Sequence, residues 1–152
     1  MLANAIKKRL SKEEGQKGFT LIELLAVIVI LGIIAVIAIP LIGNVIGKSK
    51  DSADVATARQ VYEAARLYII DTKDGDFKTA GTVKVSDLQT GGYLDTPLAL
   101  PSSKKEISEG EIHFNAKGQL EDTATDKKDA VSFTVDSKAV PFSAKQVLSA
   151  TK

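Results

Sequence analysis

"GFTLIELLAVIVILGIIAVIAIPLIG", residues 18–43, decides how the chain folds. Phe19 to Ile42 is 24 residues, about 36 Å as an α-helix against a bilayer core of about 30 Å. The run carries one ionisable side chain, Glu23, and no charged residue occurs from Leu24 to Gly47. It is long enough to span a membrane. A cleaved secretory signal is the competing reading. Its apolar core is shorter, about 7–15 residues, and its cut follows that core. Ala56-Thr57-Ala58 fits the small-residue pattern but lies well past the run. A retained membrane helix is expected.

Charge is asymmetric about this run. Residues 1–18 hold five basic and two acidic side chains, a net of +3. The other 134 residues hold 15 basic and 17 acidic, a net of −2. A basic flank ahead of an apolar span places the N terminus in the cytoplasm and the C terminus outside. Nothing after the span forms a basic nucleic-acid surface, so no specific nucleic-acid partner is expected. The chain has no cysteine. Disulfide staples, thiolate nucleophiles and zinc–thiolate sites are therefore excluded. About 80 residues follow Ile70, a small number for an independent core, so that part should borrow apolar surface from a long helix.

After Ile42 the period stays helical. Val55, Ala58, Tyr62, Ala65 and Ile69 recur at steps of three and four and form one stripe. Lys50, Asp54, Thr57, Gln60, Glu63 and Arg66 fall mainly on other faces, and Arg59 can pair with Glu63 one turn on. The helix should end near Ile70, stopped by "DTKDGD" (71–76) with Gly75 as breaker. "VSDLQTGGYL" predicts a short helix capped by Ser86 and ended by Gly91-Gly92. "TPLALP" predicts an irregular connection. "EIHFNAKGQLED" predicts strand, turn and strand, with the bend at Asn115 to Gly118. "AVSFTVDSKAVPF" predicts a hairpin turning at Asp136 to Lys138, with Val131, Phe133 and Val135 on the buried face. The fold class is α+β: a long N-terminal helix, spanning and then amphipathic, packed on a small antiparallel sheet. The divisions are 1–18 (leader), 19–43 (spanning helix), 44–70 (amphipathic half) and 71–152 (head).

"KGFTLIELLAVIVILGIIAVIAIP" closely resembles the N-terminal signature of type IV pilins. The shared features are the basic leader ending in Gly18, then Phe19, Thr20, Leu21 and Glu23, and the unbroken apolar run with Gly32 and Pro40 inside it. The resemblance covers about the first third of the chain. It implies cleavage between Gly18 and Phe19 by a membrane prepilin peptidase, methylation of the new Phe19 amine, and assembly into a filament. It further implies an assembly platform and ATPase as partners, a homopolymer as product, and passage from the cytoplasmic membrane to an extracellular pilus. A pseudopilin of a secretion or DNA-uptake machine would carry the same signature. A membrane-anchored binding domain that never polymerises is the reading from a different class.

Physical chemistry gives Glu23 a purpose within that scheme. A carboxylate at mid-bilayer costs about 2.5–3.5 kcal/mol on insertion scales and less near the edge, where Glu23 lies. In a bundle of apolar helices it needs a cation. The nearby cation of the mature chain is the Phe19 amine, with a reference pKa of about 7.7–8.0. The resemblance implies that this amine belongs to a neighbouring subunit, so each pair would fix axial register. Gly32 and Pro40 weaken the helix, Pro by removing a donor. They are candidate loosening points for stretching or assembly.

Other motifs carry less. "GNVIGKS" (43–49) has three residues between its glycines, where a phosphate loop needs four, and continues a helix. Asp71, Asp74 and Asp76 offer oxygen ligands for calcium, but their spacing departs from an EF-hand, and helix-ending solvated acids are the simpler reading. His113 alternates with Ile112 and Phe114 and should face solvent. With one histidine and no cysteine, no nucleophile–base constellation emerges. No cofactor is implied, and the chain reads as a substrate of enzymes rather than an enzyme.

Overall fold

A computed structural model of the chain describes residues 1–5, 19–123 and 129–149. Two compact units emerge, Met1–Asn44 and Val45–Lys152, and helix α1 (Leu21–Thr72) contributes to both. Residues 6–18, Gly18 included, lie outside the described residues.

In the first unit, among the described residues, nothing packs on α1. Every large apolar side chain from Phe19 to Ile42 is between 47% and 86% exposed. Glu23 sits in the first turn. The helix runs unbroken through Gly32 and Pro40. Among the described residues α1 is the one helix long and apolar enough to cross a membrane.

In the second unit the sequence stripe becomes the floor of the core. Ala58, Tyr62, Ala65 and Ile69 are buried, together with Val61, and Val55 packs at the margin. Two residues assigned to other faces turn inward: Asp54 and Thr57 are 7% and 9% exposed. The cause is a loop lying over this part of the helix. The Ser102 amide donates to Asp54 Oδ1 at 2.9 Å, and the Thr57 hydroxyl donates back to the Ala53 carbonyl at 3.2 Å. A buried amide requires an acceptor, and Asp54 supplies it. The helix ends at Thr72, two residues later than expected. Asp74 and Gly75 then take left-handed backbone, φ 51° and 76°, and the Gly75 amide returns to the Ile69 carbonyl.

Among the described residues, six strands and three short helices follow: α2 (Phe77–Ala80), β1 (Thr82–Lys84), α3 (Val85–Thr90), β2 (Ala99–Leu100), β3 (Lys105–Glu106), β4 (Glu109–His113), β5 (Val131–Val135), β6 (Lys138–Phe142) and α4 (Ala144–Leu148). The main sheet is antiparallel in the order β1-β4-β5-β6. β5 has the expected alternation, with Val131, Phe133 and Val135 buried and Ser132 and Thr134 half-buried on the other face. Phe133, Ile112 and Val131 join the α1 stripe in one core. Tyr62 stacks on Phe114 at 5.7 Å, and Phe114 meets Phe77 at 5.6 Å.

Three local expectations are corrected. Ser86 does not cap α3. Lys84 is the capping position and offers no side-chain bond, because β1 runs straight into the helix and burial of Val85 and Leu88 sets its start. "TPLALP" is not wholly irregular: Ala99–Leu100 pairs with Lys105–Glu106 in a two-residue ladder that buries Leu100. The strand after Asn115 shrinks to a single bridge, Phe114 to Leu120. The bend itself is as expected, with Asn115 Oδ1 accepting the Lys117 and Gln119 amides and Gly118 at φ 75°. The hairpin turn at Asp136 and Ser137 also appears, both residues at positive φ. His113 lies half-buried on the outer sheet face, its Nδ1 3.0 Å from the Thr82 hydroxyl.

Candidate functional site

The start of α1 is built from four consecutive residues. Phe19 and Thr20 are not helical; Leu21 is the first helical residue. Thr20 stands at the N-cap, and Glu23 three positions on is the residue that can reach back. The Glu23 amide donates to Thr20 Oγ1 at 3.3 Å. In return Glu23 Oε2 accepts the Thr20 amide at 2.8 Å and the Thr20 hydroxyl at 2.7 Å. This is a reciprocal capping box, which satisfies donors that any helix start leaves open and places a negative charge at the positive end of the helix dipole.

The arrangement explains how a carboxylate is tolerated at the edge of an apolar rod. Both Thr20 donors converge on Oε2, so among the described residues Oε1 has no partner and can take a further donor. Glu23 and Phe19 are brought together at one exposed helix tip, with Phe19 86% exposed. Gly18 lies outside the described residues. Gly32 is surrounded by open space: an added Cβ would meet nothing within 4 Å. Pro40 sits inside the continuous helix. The role of Thr20 was missed in reading the sequence. The signal was there, because Thr20-Leu21-Ile22-Glu23 ahead of an apolar run is the S/T-x-x-E pattern of a helix start.

Two of the acidic residues around the end of α1 are used structurally. Asp71 accepts the Tyr93 hydroxyl. Asp76 caps α2 by accepting the Lys78 and Thr79 amides at 3.1 and 3.2 Å. The Thr79 hydroxyl and amide hold the Asp76 carboxyl below the usual carboxylate range. The Asp71 hydrogen bond pushes the Tyr93 phenol above its ordinary value. Among the described residues, no three His, Cys, Asp or Glu side chains gather as metal ligands.

Comparisons with known proteins fall on the same segment. Residues 15–39 match the family model described as the prokaryotic N-terminal methylation motif. A type IV major fimbrial protein FimA of Dichelobacter nodosus is 35% identical over 115 residues, covering 76% of this chain and 70% of that protein. A fimbrial protein of Pseudomonas aeruginosa is 31% identical over 112 residues, covering 74% and 69%. No solved structure matches significantly. Similarity thus extends from the helix tip well into the sheet-bearing part, and the chain belongs to the type IV pilin family.

Proposed function

We infer that the chain is the structural subunit of a type IV pilus. Residues 1–18 are a leader removed by a prepilin peptidase at Gly18/Phe19, and the exposed Phe19 amine is methylated. Residues 19–43 anchor the subunit in the cytoplasmic membrane, N terminus inside, and then form the filament core. Residues 44–70 join that core to the head, 71–152. A platform and an ATPase drive extraction from the membrane, and the product is an extracellular homopolymer.

The observation that carries this reading is the helix tip: an apolar rod whose large side chains are all exposed, with a single carboxylate pre-set by Thr20 and left, among the described residues, with one oxygen open. Such a rod requires lipid or like rods around it. Within a bundle of rods the open oxygen requires a cation, and cleavage before Phe19 creates one. The names of the relatives, major fimbrial proteins, favour a true pilus over a pseudopilus.

The test uses Glu23→Gln expressed in place of the native chain. Glutamine also completes a capping box, so the substitution keeps the helix start and removes only the charge. Mass spectrometry should find wild type and variant both beginning at Phe19. Electron microscopy should find filament yield down about tenfold or more in the variant, as breaking a buried ion pair predicts. A wild-type chain that retains its leader, or a variant that polymerises normally, sinks the reading.

A further inference from the structure

The outward face of the main sheet holds a hollow that assembly through α1 does not use. Lys84 comes to it from β1, Glu109 and Glu111 from β4, Ser132 and Thr134 from β5, and Ser86 from the first turn of α3. The strand register arranges them in rows. Lys84, Glu111, Ser132 and Pro141 lie across one row, and Glu109, Thr134 and Ala139 across the next. Side-chain length therefore falls across the sheet. Long charged groups stand on β1 and β4, short hydroxyls on β5, and the exposed small apolar residues Ala139 and Pro141 on β6. The result is a trough of about 480 Å³, inside the range of about 300–1,000 Å³ usual for ligand sites.

Of its polar side chains only Ser108 is employed, its hydroxyl donating to the Thr134 carbonyl at 2.9 Å. Lys84, Ser86, Glu109, Glu111, Ser132 and Thr134 have no side-chain hydrogen-bond or ion-pair partner among the described residues. Ser132 and Thr134 are half-buried as residues, and their hydroxyls remain accessible from the trough.

The donor and acceptor set defines the ligand. Hydroxyls donate and accept, carboxylates accept, and an ammonium donates. A molecule with several adjacent hydroxyls answers all three within a short span. Next to the trough, outside its lining, the exposed Ala139 and Pro141 suit a C–H face. A pyranose ring has both, a hydroxyl rim and a C–H face. Two carboxylates against one ammonium leave the trough net negative, which repels acidic sugars. The geometry points to a saccharide-binding trough for neutral or amine-bearing sugars on the outer face of β1-β4-β5. It stands whether or not the chain polymerises.

The test uses the full chain in a detergent without a sugar head group. It is titrated by calorimetry with linear trimers of glucose, glucosamine and galacturonate. The glucose and glucosamine trimers should bind, with the galacturonate trimer about tenfold weaker or more. Thr134→Val and Ser132→Ala should each weaken binding about fivefold, the worth of one hydrogen bond. Glu111→Gln should weaken the glucosamine trimer more than the glucose trimer, and Lys117→Ala, at the Asn115 bend, should change neither. Far-ultraviolet circular dichroism checks each fold. If Thr134→Val unfolds, the exposed Lys84→Ala and Glu111→Gln carry the comparison. Failure of both non-acidic trimers to bind, equal binding of the uronate, or affinities untouched by these substitutions overturns the proposal.

Discussion

At the scale of single residues, two carboxylates on α1 do opposite work. Glu23 faces outward and satisfies its own helix start, so the fold does not need it elsewhere. Asp54 faces inward and serves the fold alone. Its Oδ1 accepts the Ser102 amide, which ties the β2–β3 segment to the helix across 48 residues of sequence. Asp54→Ala leaves that amide unpaired and should cost about 1–3 kcal/mol. Asp54→Asn keeps an acceptor oxygen and should cost clearly less. Urea unfolding of the detergent-solubilised chain, followed by circular dichroism, measures both; equal losses would show that the hydrogen bond is not the reason for the aspartate. The Thr20–Glu23 box was readable in the sequence, since capping is a local event over four residues. The inward turn of Asp54 was not, because its partner is brought in by the loop.

At the scale of elements, the ends of helices are set by different means. α1 ends at residues that tolerate left-handed backbone, Asp74 and Gly75, and the sequence announced that stop. α4 starts with a complete capping box, Ser143 with Gln146. α2 depends on Asp76, whose depressed pKa makes its cap pH-dependent. The folded carboxyl titrates below the unfolded value of about 3.9. The stabilisation is therefore present above that value and lost as pH falls through the depressed one. Asp76→Ala should be less stable than wild type at pH about 6, and the gap should narrow as pH falls below about 4. Unfolding curves across that range check it, and a gap independent of pH would refute the assignment. α3 has no such device. The burial of Val85 and Leu88 positions it, and this is why reading Ser86 as a cap failed.

At the scale of the whole molecule, one face of one small sheet is packed and the other is offered to solvent. Packing on the inner face is tight at Gly110, where a Cβ would come within 2.6 Å of Val85 Cγ2 and 2.9 Å of Phe133 Cδ1. Gly110→Ala should destabilise the chain by about 1–3 kcal/mol through overpacking. The same urea titration tests this, and a neutral result would mean that Val85 and Phe133 can shift. No local rule marks this glycine, which sits in a strand where its conformational freedom is not needed. The sequence by itself determined the apolar rod, its single acid, the α1 stripe and the β5–β6 hairpin. Each is a periodicity or a turn spanning a few residues, and local chemistry suffices to write it. Only the tertiary structure decided that Asp54 and Thr57 turn inward, that Gly110 must lack a side chain, and that Lys84, Glu111 and Ser132 share a row. Those facts depend on which strands become neighbours, and strand pairing is settled by burial of the common core rather than by any one segment.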